Sequence, residues 1–165
     1  MNRRNKKPTA HLICGFIGAG KTTFSKKLEK ETGALRFTKD EWLIRIIGNN
    51  PTIDNFDVYD QRMTDLVFDI AFRCLEAGND IILDDGIWVK SQRKEIHDRV
   101  KKVGAIPKLY YLKISDDTRK ERTIKRTENP PKDAFKIDET VYESYKKYFE
   151  APTEDEEPII IEMKF

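Results

Sequence analysis

Short apolar runs separated by longer amphipathic segments predict that strands and helices alternate along this chain. An apolar run of about four to eight residues bounded by turn residues is typical of a buried strand. Because strands that alternate with helices form parallel sheets covered on both faces, the pattern predicts an α/β fold. Five strands are predicted, at residues 10–14, 34–38, 80–86, 106–114 and 159–162.

The segments between these runs have apolar positions at helical spacing. The most regular begins at Tyr59, and its apolar residues recur three and four apart as far as Leu75, with Gly78 in the position that follows a helix C-terminus. Thr38 and Glu41 have the spacing of a capping box at the start of another helix. Further helices are predicted at residues 24–32, 40–47, 90–104, 116–127 and 138–149, with breaks at 48–51 and 129–131.

Composition and charge indicate one ordinary globular domain over residues 1–165, with a flexible basic tail at 1–8. The 31 lysines and arginines against 29 acidic residues give a net charge of +2, which does not favour a polyanionic partner. Cys14 and Cys74 lie in apolar runs, so we expect buried free thiols and no disulfides. With no apolar run long enough for a membrane and no signal sequence, a cytoplasmic protein is predicted.

Residues 15–22, GFIGAGKT, match the phosphate-binding pattern G-x-x-x-x-G-K-[ST] between a predicted strand and a predicted helix. A glycine-rich turn leading into a helix N-terminus points several backbone N–H groups at a triphosphate, and the helix dipole favours its negative charge. Lys21 is expected to reach the β- and γ-phosphates of ATP, and Thr22 to bind Mg²⁺. Gly18 stands at an unspecified position of the pattern, so a role in the turn alone is also open. The predicted nucleotide-binding residues are Gly15, Gly18, Ala19, Gly20, Lys21, Thr22, Thr23, Arg122 and Arg126.

Two aspartates stand at the carboxyl end of the third predicted strand. In α/β sheets the ligand crevice lies at the carboxyl ends of the strands, so Asp84 is predicted to hold Mg²⁺ through water. Asp85 is a candidate for binding the acceptor. The Asp-Asp-Gly sequence also suits a tight turn, and that alternative remains open.

A carboxylate that serves an acceptor would separate a kinase from a nucleotide hydrolase, because a kinase orients or deprotonates a hydroxyl. Asp40 follows the second predicted strand and is the candidate; the alternative is that it only stabilises a helix start. Arg45 and Arg93 are candidates for binding an anionic group of the acceptor, or else surface cations. Trp42 and Trp88 are candidates for walls of the acceptor pocket, unless they belong to the core.

Residues 119–137 are predicted to form a basic lid. The region contains seven lysines and arginines against three acids. Arg122 and Arg126 are four residues apart and share one helix face. Arg126 is predicted to deliver charge to the transferring phosphoryl group, and a solvated basic helix is the alternative.

This ordered set of residues resembles the P-loop kinases related to zeta toxins, chloramphenicol phosphotransferase and the kinase half of polynucleotide kinase. The resemblance covers nearly the whole chain. Within that group, the chain is similar to a bacterial branch of ATP-binding proteins. It rests on the P-loop, on ILDDGIW followed by SQR at 91–93, on Arg122 and Arg126, and on YFEAPTEDE from Tyr148.

The resemblance implies a three-layer P-loop NTPase fold, a five-stranded parallel sheet in the order 2-3-1-4-5, and phosphorylation of a hydroxyl by ATP. It matches Asp40 to the acceptor-activating aspartate and Arg126 to the lid arginine, and it implies that residues 149–152 pack on adenine. Polynucleotide kinases have an arginine three residues after this aspartate, where the present chain has Leu43. A nucleic acid acceptor is therefore not favoured.

The expected function is transfer of the γ-phosphoryl group of ATP·Mg to a hydroxyl of a small-molecule acceptor. One alternative is a kinase that acts on a nucleotide sugar or on a nucleic-acid 5′ hydroxyl. The other, from a different class, is a nucleotide-dependent switch or slow ATPase without an acceptor.

Overall fold

The computed structural model describes residues 6–50, 53–128 and 134–163, and its centre is a parallel β-sheet. The strands are β1 (Thr9–Cys14), β2 (Leu35–Phe37), β3 (Ile81–Gly86), β4 (Ile106–Lys113) and β5 (Ile159–Glu162). They lie in the order β2-β3-β1-β4-β5, and all neighbouring strands are parallel. Each predicted strand is present, so the α/β fold and the 2-3-1-4-5 order are confirmed.

Helices connect these strands on both faces of the sheet. The regular helix predicted from Tyr59 starts three residues earlier, and Gly78 follows its end with φ of +87° and an N–H that donates to the Leu75 carbonyl oxygen at 2.9 Å. Gly78 therefore has the predicted role. In the described residues the helices are α1 (Lys21–Thr32), α2 (Lys39–Ile47), α3 (Phe56–Glu76), α4 (Lys90–Lys102), α5 (Asp116–Glu128) and α6 (Glu139–Lys146).

The capping box predicted at the start of α2 is wrong. The Thr38 side chain makes no capping hydrogen bond to the helix, and its hydroxyl instead accepts one from Arg36. Arg36 Nη2 also donates to Glu41 Oε2 at 3.0 Å. The guanidinium of Arg36 thus binds both side chains that the box requires.

The side chains of β1 alternate between two hydrophobic layers. Leu12 and Leu83 belong to the layer under α2, α3 and α4, whereas Ile13 and Ile82 belong to the layer under α1. All residues of β1 are buried, as expected for a central strand covered on both faces. The loop after β1 therefore begins from a rigid position.

A third apolar cluster joins that loop to α5 and α6. Phe16 is fully buried, with its ring centroid 5.2 Å from that of Tyr142 and 5.5 Å from that of Phe149. Arg119 of α5 lies 4.6 Å above the Phe16 ring and donates to the Tyr142 hydroxyl at 2.9 Å. Helix α6 ends at Lys146 rather than at the predicted residue 149, and Phe149 packs in this cluster instead.

Both cysteines are free thiols. Cys14 is buried in β1, but Cys74 is only half-buried in α3, so the expected burial holds fully for Cys14 alone. Over the described part of the chain, no helix combines the length and apolar character needed to cross a membrane.

Some predictions fall outside the described residues. Residues 1–5 of the basic tail, Pro51 of the first break and the Asn-Pro-Pro break at 129–131 are among them. Pro8, the last residue of the predicted tail, has a carbonyl that accepts a hydrogen bond from the Ile106 N–H at 2.8 Å. Backbone pairing to the sheet therefore begins just before β1.

Candidate active site

A cavity of about 810 Å³ opens at the carboxyl ends of β1, β2 and β3. Its walls come from the glycine-rich loop, the first turns of α2 and α3, the end of β3, α5 and the segment after α5. A parallel sheet brings these parts together because its strands all end at one edge. Eleven residues predicted from the sequence line it: Gly18, Gly20, Lys21, Thr22, Thr23, Asp40, Asp84, Asp85, Trp88, Arg122 and Arg126.

The glycine-rich loop wraps around the start of α1. Gly18 and Gly20 have φ of +81° and +88°, a left-handed region that glycine adopts without strain. Gly15 and Ala19 are buried behind the cavity wall, and the Ala19 N–H donates to the Phe16 carbonyl oxygen at 3.1 Å. Gly15 and Ala19 therefore shape the turn, whereas Gly18 and Gly20 line the cavity.

The Lys21 side chain folds back onto its own loop. Its Nζ donates to the Phe16 carbonyl oxygen at 3.1 Å. Burial lowers the pKa of Lys21, and the nearby carboxylates Asp84 and Asp40 oppose this shift. An ammonium at the N-terminus of α1 that has lost much of its water is well placed to bind an anionic group in the cavity.

Helix α5 crosses directly over the glycine-rich loop. A Cβ atom at Gly18 would lie 2.4 Å from Thr123 Oγ1 and 2.7 Å from the Arg119 carbonyl oxygen. Packed atoms do not approach this closely, so position 18 needs glycine both for the contact with α5 and for its backbone conformation. The same helix places Arg122 and Arg126 along the cavity wall.

Asp84 is buried at the end of β3, and one of its carboxylate oxygens has no hydrogen-bond partner among the described residues. The residue is 5% exposed, and the unpartnered Oδ2 lies 3.6 Å from Arg36 Nη1. Burial raises the pKa of Asp84 to about 6, and Lys21 and Arg36 oppose a larger rise. A buried carboxylate with an unsatisfied oxygen suits a cation held between it and a ligand in the cavity.

Oxygen atoms suitable for Mg²⁺ come from two elements. Thr22 has its hydroxyl in the first turn of α1, Asp84 has its carboxylate at the end of β3, and both residues line the cavity. Within the described ranges, no group of three or more His, Cys, Asp or Glu could hold a metal by itself. The residues therefore fit an ion that takes its other ligands from phosphates and water, as Mg²⁺ does.

The burial of Asp84 predicts a pH effect in the ligand-free protein. Its folded pKa of about 6 exceeds the ordinary value of 3.8, so the folded state retains a proton in this window and loses stability as the pH rises through it. Asp84→Asn has no charge to desolvate. We expect it to be more stable than the wild type by a margin that grows between pH about 4 and about 6, by on the order of 3 kcal/mol.

Urea unfolding at a series of pH values measures this margin. Asp65→Asn, an exposed position on α3, is the matched control and should show no such trend. A margin for Asp84→Asn that does not change with pH would contradict burial as the cause.

The first turn of α2 brings Lys39 and Asp40 into the cavity. Lys39 Nζ lies 2.8 Å from Asp60 Oδ1 of α3 and 3.4 Å from Asp85 Oδ1 of β3. Burial raises the pKa of Asp85 to about 6, with Lys39 opposing it. Loss of solvent also raises the pKa of Asp40, and Lys39 and Lys21 oppose that rise. Asp40 thus lies between the lysine of the glycine-rich loop and the acidic group on α3.

Several residues that line the cavity are not identified from the sequence. Lys39 directly precedes Asp40, and this adjacency is the one sequence feature that could have identified Lys39. Asp57 and Asp60 are three residues apart at the start of α3 and are typical of a solvated helix end. The other residues missed include Lys26, Thr38, Phe56, Phe135, Ile137 and Tyr145.

The structure does not bring Arg45 or Arg93 to the cavity. Arg45 is exposed in the last turn of α2. Arg93 is 2% exposed, and its guanidinium donates two hydrogen bonds to Glu156, of 2.6 and 3.0 Å, and one each to the carbonyl oxygens of Trp88 and Glu150, of 2.8 and 2.9 Å. Both arginines were expected in the acceptor site, and neither lines the cavity. Arg93 instead binds residues 150–156 to the start of α4.

The aromatic residues predicted for the site also differ in whether they line the cavity. Trp88 lines the cavity, whereas Trp42 packs against Phe37 at the core. Residues 149–152, expected against adenine, are not among the residues that line the cavity, and Phe149 packs on Phe16. Only Trp88 keeps its predicted position beside the acidic residues.

Comparison with known families agrees with this geometry. Residues 11–152 match the sequence model of the AAA_33 family, which is described as an AAA domain. This range includes the glycine-rich loop, Asp40, Asp84 and Arg126. The chain belongs to the AAA_33 family. The predicted kinship with P-loop kinase-like proteins is confirmed by this match.

Solved structures share the fold of this AAA_33 chain at low sequence identity. A candidate kinase from Chloroflexus aurantiacus has a TM-score of 0.70 and 16% identity, over 90% of this chain and 80% of that one. Kti12 from Chaetomium thermophilum, in complex with ADP-AlF3, has a TM-score of 0.68 and 13% identity, over 93% and 88%. A chain of the Pnkp1/Rnl/Hen1 RNA repair complex has a TM-score of 0.64 and 19% identity, over 92% and 50%. These likenesses show the fold of the AAA_33 domain and leave its substrate open.

Proposed function

We propose that this chain is an ATP-dependent kinase that phosphorylates a hydroxyl of a small-molecule acceptor. The observation that carries the proposal is the position of Asp40, which lines the same cavity as Lys21 of the P-loop and Arg126 of α5. A nucleotide hydrolase needs only a water molecule at this place, whereas a kinase needs space for a second substrate beside a carboxylate. Phe56 and Tyr145 line the same cavity as Asp40 and would provide apolar walls for an organic molecule.

The donor end of the site is formed by the P-loop. The N-terminus of α1 and Lys21 would bind the β- and γ-phosphates of ATP, and Lys21 would exchange its bond to the Phe16 carbonyl for these oxygens. Thr22 and Asp84 would hold Mg²⁺, which supplies charge neutralisation between the two phosphates when it is bound.

Asp40 would accept the proton of the acceptor hydroxyl. Loss of solvent raises its pKa, which makes its carboxylate a stronger base than that of an exposed aspartate. The acceptor oxygen then forms a bond to the γ-phosphorus, the bond from that phosphorus to the bridging oxygen breaks, and ADP leaves. Arg122 and Arg126 of α5 would stabilise the negative charge that develops on the transferring group.

The decisive experiment is an ATP-dependent phosphorylation screen of the purified chain. Antibiotics, sugars, nucleosides, nucleotide sugars and 5′-hydroxyl oligonucleotides are each supplied with ATP·Mg, and both ADP and the phosphorylated product are measured. Acceptor-dependent ADP with a matching product supports the proposal. If ADP forms slowly at one rate whatever compound is added, the nucleotide-dependent switch replaces the kinase.

Lys21→Ala is expected to abolish stabilisation by ATP while the fold is retained. The ammonium is expected to bind the phosphates of ATP, and in the ligand-free protein its Nζ donates to the Phe16 carbonyl oxygen of its own loop. For the wild type, ATP·Mg at about 100 times its dissociation constant should raise the free energy of unfolding by about 2.7 kcal/mol. Thermal unfolding with and without ATP·Mg measures this gain.

Lys27→Ala is the control for this variant, because Lys27 lies on the same helix and its side chain is 75% exposed. It should keep the full gain in stability from ATP·Mg. A Lys21→Ala protein that keeps the gain as well would overturn the assignment of this loop to phosphate.

A further inference from the structure

The residues that line the cavity fall into two sets according to the elements that carry them. The donor half is formed by the glycine-rich loop, α1 and α5 and contains Lys21, Thr22, Lys26, Arg122, Lys125 and Arg126. The acceptor half is formed by the first turns of α2 and α3, the end of β3 and residues that follow β3 and α5. It contains Lys39, Asp40, Phe56, Asp57, Asp60, Asp85, Trp88, Phe135 and Tyr145.

The two halves carry opposite charge. The donor half presents five cationic side chains, which suits a triphosphate. The described acceptor half presents four carboxylates against one ammonium, that of Lys39, which is already placed between Asp60 and Asp85. No arginine is among its described residues. A phosphate or carboxylate on the acceptor would therefore meet net repulsion in this half, whereas a positive group would be attracted.

Aromatic rings form the walls of the acceptor half. The Phe56 and Phe135 rings meet edge to face with centroids 5.4 Å apart, and those of Trp88 and Tyr145 do so at 5.8 Å. All four residues are partly exposed, so their rings are available to a ligand in the cavity. Ring faces combined with carboxylates are the arrangement that binds protonated amines and quaternary ammonium groups.

The acidic and aromatic parts occupy the same space. Asp57 and Asp60 are three residues apart in the first turns of α3 and therefore share one face of the helix. Tyr145 lines the same cavity as these two carboxylates, and its pKa is raised by burial and by both of them. Asp40 lines the cavity together with Lys21, which opposes the rise that burial causes in the pKa of Asp40.

We propose that the acceptor is a hydroxylated organic cation, whose ammonium group binds between Asp57, Asp60 and the aromatic walls while its hydroxyl reaches Asp40. This inference rests on the proposed kinase function. The reaction would transfer the hydroxyl proton to Asp40 and the γ-phosphoryl group of ATP to the hydroxyl oxygen, and it would release ADP. Nucleotide sugars and nucleic-acid ends, which carry phosphates near the hydroxyl, are the acceptors that this half disfavours.

Pairs of related probes that differ in charge test the inference by binding. Choline is compared with its neutral isostere 3,3-dimethylbutan-1-ol, and glucosamine with N-acetylglucosamine, with glucuronate as the anionic member. Titration at concentrations up to about 10 mM, followed by tryptophan fluorescence and by calorimetry, should show at least about tenfold tighter binding of the cation in each pair. Asp57→Asn should remove this preference without changing the binding of the neutral members. Asp65→Asn, on the same helix outside the cavity, should leave both unchanged.

The outcomes distinguish this inference from the kinase proposal. The cationic acceptor would be overturned by equal binding within both pairs, by tighter binding of glucuronate, or by no binding of any cation. Phosphorylation of a neutral compound would still support the kinase proposal in that case. Cation binding that depends on Asp57 supports the cation site by itself. If a cation binds there but neither it nor any other compound of the acceptor screen is phosphorylated from ATP·Mg, the kinase proposal fails while the cation site remains.

Discussion

Asp40→Asn is expected to reduce acceptor phosphorylation by a factor of about 10² to 10⁴, which is the usual contribution of a positioned general base. Asparagine retains the shape of the side chain but does not accept the proton of the hydroxyl. Because loss of solvent disfavours the charged form of Asp40 in the folded protein, removing the charge should not lower the stability of the fold. The stabilisation by ATP·Mg should also persist, since the P-loop is intact.

The measurement is the rate of acceptor-dependent ADP formation, together with thermal unfolding in the presence and absence of ATP·Mg. Asp65→Asn makes the same chemical change on the exposed surface of α3 and should react at the wild-type rate. An Asp40→Asn rate within about threefold of the wild type would show that Asp40 only stabilises the start of α2. In that case the proton would have to leave by another route.

Arg93→Met is expected to lower the free energy of unfolding by about 3 to 5 kcal/mol, because it removes one partner of a buried ion pair. The Arg93 side chain is 2% exposed and that of Glu156 is 11% exposed, so the carboxylate would remain buried without its counter-charge. The carbonyl oxygens of Ile87, Trp88 and Glu150 would each lose a donor as well. Urea unfolding of the two proteins measures the loss.

A double-mutant cycle identifies the cause of this loss. Adding Glu156→Gln to Arg93→Met should cost less than the sum of the two single substitutions, because the second change removes the charge that the first leaves unpaired. Lys94→Met, at the next position of α4, removes only an exposed pair with Asp98 and should cost less than about 1 kcal/mol. A loss of under about 1 kcal/mol for Arg93→Met would mean that the segment 150–156 is held by other contacts.

Most of the fold could be predicted because its signals are local. Five apolar runs each formed a strand, and Gly78 ends α3 through a backbone conformation that its own residue type permits. The P-loop could also be predicted from the sequence, since its pattern consists of consecutive residues. Asp40 and Asp84 followed from one rule, that residues at the carboxyl ends of parallel strands meet at the same edge of the sheet.

The local predictions that were wrong involve side chains with more than one available partner. Thr38 and Glu41 have capping-box spacing, but Arg36 binds both of them in the folded chain. Arg93 stands in the sequence as one basic residue among many on a polar helix. Its partner Glu156 is 63 residues away, in an acidic stretch that is typical of a solvated tail.

By itself, the sequence determined the alternation of strands and helices, the phosphate-binding loop and the two aspartates at strand ends, since each depends on neighbouring residues or on a general property of parallel sheets. Only the tertiary structure decided which charged residues are buried together. It placed Lys39 between Asp60 and Asp85, brought Asp57 and aromatic residues into one cavity, and paired Arg93 with Glu156. The physical reason is that solvation and charge pairing depend on distances between residues remote in the chain, and neither composition nor periodicity records those distances.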